Sequence, residues 1–147
     1  MDGIKDVELR KQIDGVKFVA EQNAMGIKDF SLVFNGDEGE FRYTNEQGYK
    51  VIPFGINKNV FGKFPQLGYS NEYGAVATTD GFMYDDAVSL TWLDEKKCIL
   101  FVQIIDKYFA NMSAIFAFNG DDVVVSFVKT AEAFLEEYNG VMKAHKQ

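Results

Sequence analysis

The stretch FSLVFNGDEGEFRYT, residues 30–44, decides the fold class of this 147-residue chain. Apolar and polar residues alternate in Phe30–Phe34 and again in Glu40–Thr44, and the polar, glycine-containing run Asn35–Gly39 separates the two. A period of two places successive side chains on opposite faces of a strand, and a short turn joins two such runs as an antiparallel hairpin. The stretch therefore predicts a β-hairpin with one apolar face.

The same pattern recurs along most of the chain and predicts about nine strands. They are Val16–Gln22, Phe30–Phe34, Glu40–Thr44, Tyr49–Phe54, Glu72–Thr78, Asp86–Leu93, Cys98–Ile105, Met112–Phe118 and Val123–Val128. Asn119-Gly120 between the last two is a strong hairpin signal, because both residues tolerate a positive φ. Pro53 has no N–H and indicates a strand end or an edge strand.

This order of elements favours an all-β fold, an antiparallel meander barrel of about eight to nine strands of the lipocalin-like or streptavidin-like kind. Closure into a barrel removes exposed strand edges. A β-sandwich is the second alternative. The inward positions Phe30, Leu32, Phe34 and Phe41 are bulky, so we expect a packed or narrow lumen.

The sequence patterns at the two ends of the chain predict elements other than strands. Residues 130–140 predict an amphipathic helix, with Thr130 able to cap its first turn and Gly140 to end it. Residues 1–15 predict a linker or a short N-terminal helix, and residues 141–147 a frayed tail. A chain of this length suits one domain. The barrel with its closing helix is expected to occupy residues 16–140.

Composition excludes several partner classes. The net charge is −7, and Lys and Arg are scattered along the chain, so neither nucleic acid nor an anionic membrane surface is an expected partner. Cys98 is the one cysteine and lies in an apolar run, which predicts a small buried hydrophobe. No run is long and apolar enough for a membrane span, and Met1–Asp6 lacks the features of an export signal. The sequence assigns no compartment.

Two motifs with catalytic associations are discounted. Ser126 and Lys129 match Ser-x-x-Lys, the nucleophile motif of penicillin-binding enzymes, which needs one helical turn between the two side chains. Here the β-branched run Val123–Val128 predicts a strand, on which these side chains point to opposite faces. His145 is the one histidine and lies in the predicted tail, so neither a triad nor a histidine metal site is expected. We predict no catalytic residue, metal or cofactor.

The acidic pair Asp85-Asp86 has a simpler interpretation than acid–base chemistry. Adjacent carboxylates at a turn are usually a solvated surface, so we expect both side chains to lie in water.

Gly55–Gly68 breaks the alternation and predicts a long, functional loop. Aromatic residues near this loop either fold back on the barrel or meet a ligand or partner surface. Trp92 can stack on a ligand, although a lone tryptophan in an apolar strand is more often part of the core. The candidate ligand or partner surface comprises Phe61, Phe64, Tyr69, Tyr73 and Trp92.

The chain as a whole resembles the C-terminal accessory domain that follows the catalytic domain in many bacterial class C β-lactamase-related serine hydrolases. The resemblance spans residues 16–140, nearly the whole chain. The segments that carry it, in order, are Val16–Ile27, Ile52–Gly55, Gly62–Pro65, Trp92–Glu95, Ile104–Asp106, Phe116–Asp121 and Ala131–Gly140.

This resemblance implies a lipocalin-like barrel without an active site of its own, placed beside a serine hydrolase catalytic domain. Its expected function is a non-catalytic interdomain surface that can shape substrate access through Gly55–Gly68. The alternative is a free-standing barrel that binds a small apolar ligand. A continuous internal cavity favours the alternative, whereas a lumen filled by Phe30, Leu32 and Phe34 counts against it.

Overall fold

The computed structural model describes residues 7–23, 26–46, 48–67, 83–105, 109–129 and 140–147, which form one short helix and ten strands. The elements are α1 (Glu8–Ile13), β1 (Phe18–Ala20), β2 (Asp29–Asn35), β3 (Glu38–Asn45), β4 (Gly48–Ile56), β5 (Val60–Leu67), β6 (Met83–Trp92), β7 (Lys97–Ile105), β8 (Phe109–Asn119), β9 (Asp122–Lys129) and β10 (Gly140–Lys146).

The strands form one sheet that closes into a barrel. Their order is β4-β3-β2-β1-β10-β9-β8-β7-β6-β5, and β4 also pairs with β6. Neighbours in this order are antiparallel, and the closing β4–β6 pair is parallel. Nine strands therefore form the barrel wall, and β5 is an additional strand on the edge of β6. The all-β barrel predicted from the alternation is confirmed.

The hairpins form where the sequence places glycine after a polar residue. Asn35 pairs with Glu38 around Gly36, and Asn119 pairs with Asp122 around Gly120. Both glycines have positive φ values, 64° and 62° respectively, which a residue with a Cβ adopts only with strain. The predicted Asn119-Gly120 turn is therefore confirmed, as is the hairpin of residues 30–44.

One connected group of aromatic rings fills much of the barrel. Phe30 stacks on Phe18 at a centroid distance of 5.3 Å and contacts Phe41 at 5.9 Å and Phe116 at 5.7 Å. Further ring contacts join this group to Phe34, Tyr43, Phe54, Trp92 and Phe118. We call these nine residues the aromatic cluster. None of them is more than 9% exposed, so the bulky inward positions pack as predicted.

Helix α1 lies against the β2–β3 hairpin. The Arg10 guanidinium donates a hydrogen bond to the Gly36 carbonyl and lies 5.1 Å from the centroid of the Phe34 ring. Asp14 follows the helix, and its Oδ1 accepts a 2.9 Å hydrogen bond from the Phe34 backbone N–H. Ile13 is 1% exposed and belongs to the core. The short N-terminal helix suggested by the sequence is present and is anchored to β2.

Strand β3 lies very close to its neighbours at Gly39, and this leads to a first prediction. A Cβ at this position would lie 2.3 Å from the Val33 carbonyl oxygen and 2.6 Å from the Phe54 ring. Gly39→Ala is expected to lower the free energy of unfolding by about 1–3 kcal/mol, because backbone and ring must both shift. Urea unfolding measures it. In the control Gly62→Ala the new Cβ meets only Asp86, at 3.5 Å. Equal losses in both variants would contradict the close packing at Gly39.

The prediction of a loop over Gly55–Gly68 is wrong for most of that segment. Strand β4 runs on through Ile56, and after a turn at Asn57, whose φ is 58°, residues 60–67 form β5. Glycine, lysine and Pro65 hide the alternation of this segment in the sequence. Its backbone is ordered by pairing with β6, from Val60 opposite Val88 to Leu67 opposite Met83.

The prediction of a frayed tail over residues 141–147 is also wrong. Residues 140–146 form β10, which pairs with β9 on one side and β1 on the other. His145 lies in this strand, opposite Val19 of β1. The predicted helix spans residues 130–140, of which 130–139 lie outside the described residues and Gly140 begins β10 instead of ending a helix. The predicted strand Glu72–Thr78 also lies outside them.

Candidate functional site: the barrel interior and the β4–β5 opening

Part of the interior wall, next to the aromatic cluster, is aliphatic. On the inward faces of β6, β7 and β8, Val88 lies opposite Val102, and Val102 lies opposite Met112. Further along β7, Leu100 lies opposite Ala114. Each of these five side chains is 0% exposed. A sphere the size of a water molecule therefore touches none of them. This wall is apolar and closely packed, and we call these five residues the aliphatic wall.

The pairing of β4 with β6, which closes the barrel, is short. Only two residue pairs join these strands, Gly55 with Ser89 and Ile56 with Leu90. Beyond them, β5 takes over the edge of β6, and among the described strands β4 pairs over 48–54 only with β3. Pro53 lies in this stretch, in agreement with the predicted edge. We call this divergence the β4–β5 opening.

Asp86 places a carboxyl group inside the barrel near this opening. It belongs to the inward-facing series of β6 with Val88, Leu90 and Trp92, and it is 1% exposed. Neither carboxylate oxygen has a hydrogen-bond partner within the described part of the chain. The expectation that Asp86 lies in water is therefore wrong. The signal was available, because positions 86, 88, 90 and 92 share one face of a strand.

Burial raises the pKa of Asp86 from 3.8 to about 6. A low-dielectric environment disfavours the charged form of a carboxyl group. The neighbouring Asp85 adds to the rise, and the backbone amide of Gly62 opposes it in part without reaching hydrogen-bonding geometry. Asp86 is thus a buried group that titrates close to neutral pH.

The candidate surface residues separate into distinct environments. Phe61 is 71% exposed on β5, which agrees with an aromatic side chain available to a ligand or partner. Trp92 is 1% exposed within the aromatic cluster, so its assignment to a surface is wrong and the core interpretation holds. The backbone of Phe64 lies in β5, but its side chain lies outside the described part, as do Tyr69 and Tyr73 entirely.

Trp92 is also the one tryptophan of the sequence. Its indole Nε1–H is buried and has no hydrogen-bond partner among the described residues. The ring lies 6.3 Å from Phe34 and 6.4 Å from Phe118 between centroids. Its fluorescence therefore reports on the barrel interior alone.

The groups with possible chemistry are dispersed. Ser126 and Lys129 both lie on β9, where Val123, Val125 and Phe127 are buried, so Ser126 faces outward and Lys129 continues the inward series. Cys98 is 0% exposed, and burial raises the pKa of its thiol, as expected for a buried hydrophobe. Within the described ranges no group of His, Cys, Asp and Glu could hold a metal ion, and no helix is long and apolar enough to cross a membrane.

The outer surface carries one apolar feature on β9 and β10. Val124 and Val128 flank Ser126 on the outer face of β9, and Val141 of β10 lies opposite Ser126. These valines are 38%, 51% and 61% exposed. We call them the outer valine cluster.

Comparison with solved structures identifies lipid-binding barrels of the same fold. A fatty-acid-binding protein from Manduca sexta aligns with a TM-score of 0.52 and 14% identity, over 92% of this chain and 98% of that one. A fatty-acid-binding protein from brain tissue of Drosophila melanogaster aligns at 0.54 and 11%, over 92% and 99%. Apo lipid binding protein 8 of Caenorhabditis elegans aligns at 0.55 and 8%, over 95% and 96%.

These superpositions show a shared barrel fold. No family model matches the sequence, and no curated protein matches it.

Proposed function

We propose that this barrel binds one small apolar ligand in its interior. The observation that carries the proposal is a mostly apolar inner surface, formed by the aromatic cluster and the aliphatic wall, that lies beside the short β4–β6 pairing at the β4–β5 opening. Similarity to barrels described as fatty-acid-binding also supports the proposal of an apolar ligand. Apolar walls with a few polar groups are typical of small-molecule sites.

The interior is filled by Phe30, Leu32, Phe34 and their neighbours, which counts against a preformed cavity, so binding of a ligand requires the interior to rearrange. Since no water-sized space touches the aliphatic wall, the ligand must displace side chains. Met112 is the most adaptable member of that wall, because a methionine side chain is unbranched and flexible. Binding is coupled to separation of β4 from β6, and the free energy of this separation weakens the apparent affinity.

Titration with Nile red, a neutral apolar dye, tests the proposal. We expect saturable binding of one dye molecule per chain, with blue-shifted dye emission. The emission of Trp92 should change in parallel, because this indole lies inside the barrel. Loss of dye emission on adding dodecane would show competition for the same apolar site.

Val128→Glu is the matched control, since it alters the outer valine cluster without changing an inward position. It should bind Nile red as the unmodified chain does. Dye binding that Val128→Glu abolishes, or that leaves Trp92 emission unchanged, would place the dye on the outer surface and contradict the proposal.

A second candidate function, implied by the sequence resemblance alone, is an accessory module beside a serine hydrolase catalytic domain, with the outer valine cluster as its contact surface. Exposed apolar side chains at adjacent positions are typical of protein contact surfaces. In this proposal the valines of β9 and β10 pack against the catalytic domain.

Sedimentation of the chain with a class C β-lactamase-type catalytic domain tests this second candidate. A complex that forms with the unmodified chain and is lost in Val141→Glu supports docking through the outer valine cluster. Absence of a complex, or a complex insensitive to this change, contradicts it.

A further inference from the structure

Among the described residues, Asp86 has no hydrogen-bond partner that would explain its burial. In register, its cross-strand neighbours are Gly62 of β5 and Ile104 of β7. Glycine has no side chain and isoleucine has no polar one, so neither can donate a side-chain hydrogen bond. Buried carboxyl groups in folded proteins are normally paired or hydrogen-bonded, because desolvation without a partner is costly.

Gly62 places no side chain over the Asp86 carboxylate, yet both carboxylate oxygens are closed off from water. A Cβ at Gly62 would lie 3.5 Å from Asp86 Oδ1, at ordinary van der Waals contact. Apart from Gly62 and its two chain neighbours, no other heavy atom of the described residues lies within 4 Å of that position. A ligand head group on this side of the carboxylate would therefore face no side chain from position 62, and it would reach the oxygens by displacing the groups that now exclude water.

Asp86 also lies beside the route by which a ligand would enter. It is three residues from Ser89, where β4 is joined to β6, a separation of about 10 Å along a strand. Between Ser89 and Asp86, the strand that pairs with this edge of β6 changes from β4 to β5. A ligand inserted through the β4–β5 opening would therefore have its polar end near Asp86 and its chain along the aliphatic wall.

We propose that Asp86 anchors the head group of an apolar ligand, and that this head group is a hydrogen-bond donor, either a hydroxyl or a protonated primary amine. The inference rests on the proposed function and assigns a ligand class to its site. A carboxylate head would place two anions together and is disfavoured at this position. Lys50, on the inward series of β4, forms no hydrogen bond with Asp86.

Binding of three ligands with the same chain tests the inference: 1-dodecanol, dodecylamine and dodecanoate, each titrated at neutral pH with Trp92 emission as the readout. We expect the alcohol and the amine to bind at least about tenfold more tightly than the carboxylate, as one hydrogen bond to a charged group provides. Stronger binding of the amine than of the alcohol would indicate a cationic ligand, and the reverse order a neutral one.

Asp86→Asn should reduce the preference of the amine over the carboxylate to about twofold or less, because the amide is neutral. Asp85→Asn is the control, since Asp85 lies on the opposite face of β6. It should keep the preference. Equal affinities for all three ligands in the unmodified chain, or a preference that survives Asp86→Asn, would overturn the anchor role.

Nile red separates this inference from the proposed function. If the dye binds inside the barrel but the three head groups are not distinguished, the anchor role fails and the apolar site stands. If neither the dye nor any dodecyl ligand binds, both fail.

Discussion

Phe116→Ala is expected to lower the free energy of unfolding by about 3–5 kcal/mol. The Phe116 ring is 0% exposed and lies 5.5 Å from Phe41, 5.7 Å from Phe30 and 6.3 Å from Phe118 between centroids. Its removal takes away the apolar transfer free energy of a whole ring and leaves a void that the neighbouring rings only partly fill. Guanidinium unfolding monitored by far-UV circular dichroism measures the loss.

Phe61→Ala is the matched control for this truncation. The Phe61 ring is 71% exposed, so its removal should change the free energy of unfolding by no more than about 0.5 kcal/mol. The void in Phe116→Ala should also bind benzene and recover part of the lost stability, because a dry apolar cavity accepts an apolar guest. Equal losses at the two positions would contradict a barrel interior organised by the aromatic cluster.

Asp86→Asn is expected to stabilise the protein at neutral pH. The carboxyl group has a pKa of about 6 in the folded chain against an ordinary value of 3.8, so the folded state binds more protons between these values. Stability therefore falls as pH rises from about 4 to above 6, and the full penalty is about 3 kcal/mol at neutral pH. Replacing the carboxyl group should recover most of this free energy.

The pH dependence distinguishes this effect from a general change in packing. The gain in Asp86→Asn should be largest above pH 7 and should disappear below about pH 3, where the carboxyl group is protonated in both states. Glu95→Gln, an exposed change in the β6–β7 turn, should show no such dependence. Urea unfolding at several pH values measures both. A gain that is independent of pH would show that the Asp86 carboxyl group does not carry the buried charge.

The elements predictable from the sequence are those whose local pattern agrees with the final pairing. In β2 and β3 the alternation and the turn at Gly36 both favour the hairpin that forms. The buried series of β8 and β9 is likewise visible in the sequence, as is the turn at Gly120. These features depend on neighbours in sequence, so one chain suffices to recognise them.

The missed elements depend on partners that are distant in sequence. Strand β10 has only Met142 and Ala144 on its buried face, and its place is fixed by β1 and β9, one of which is more than 100 residues away. Strand β5 contains glycine and proline and is ordered by β6. The error at Asp86 is of another kind, since its place on the same face as Val88, Leu90 and Trp92 was visible in the sequence.

The most direct test of an apolar site inside the barrel is the position of the bound ligand. NMR of the chain with 1-dodecanol should give intermolecular nuclear Overhauser effects from the alkyl chain to the methyl groups of Met112 and Ala114, both of which are inaccessible to water in the free protein. Effects confined to Phe61 or to the outer valine cluster, with none to these two methyl groups, would contradict the account.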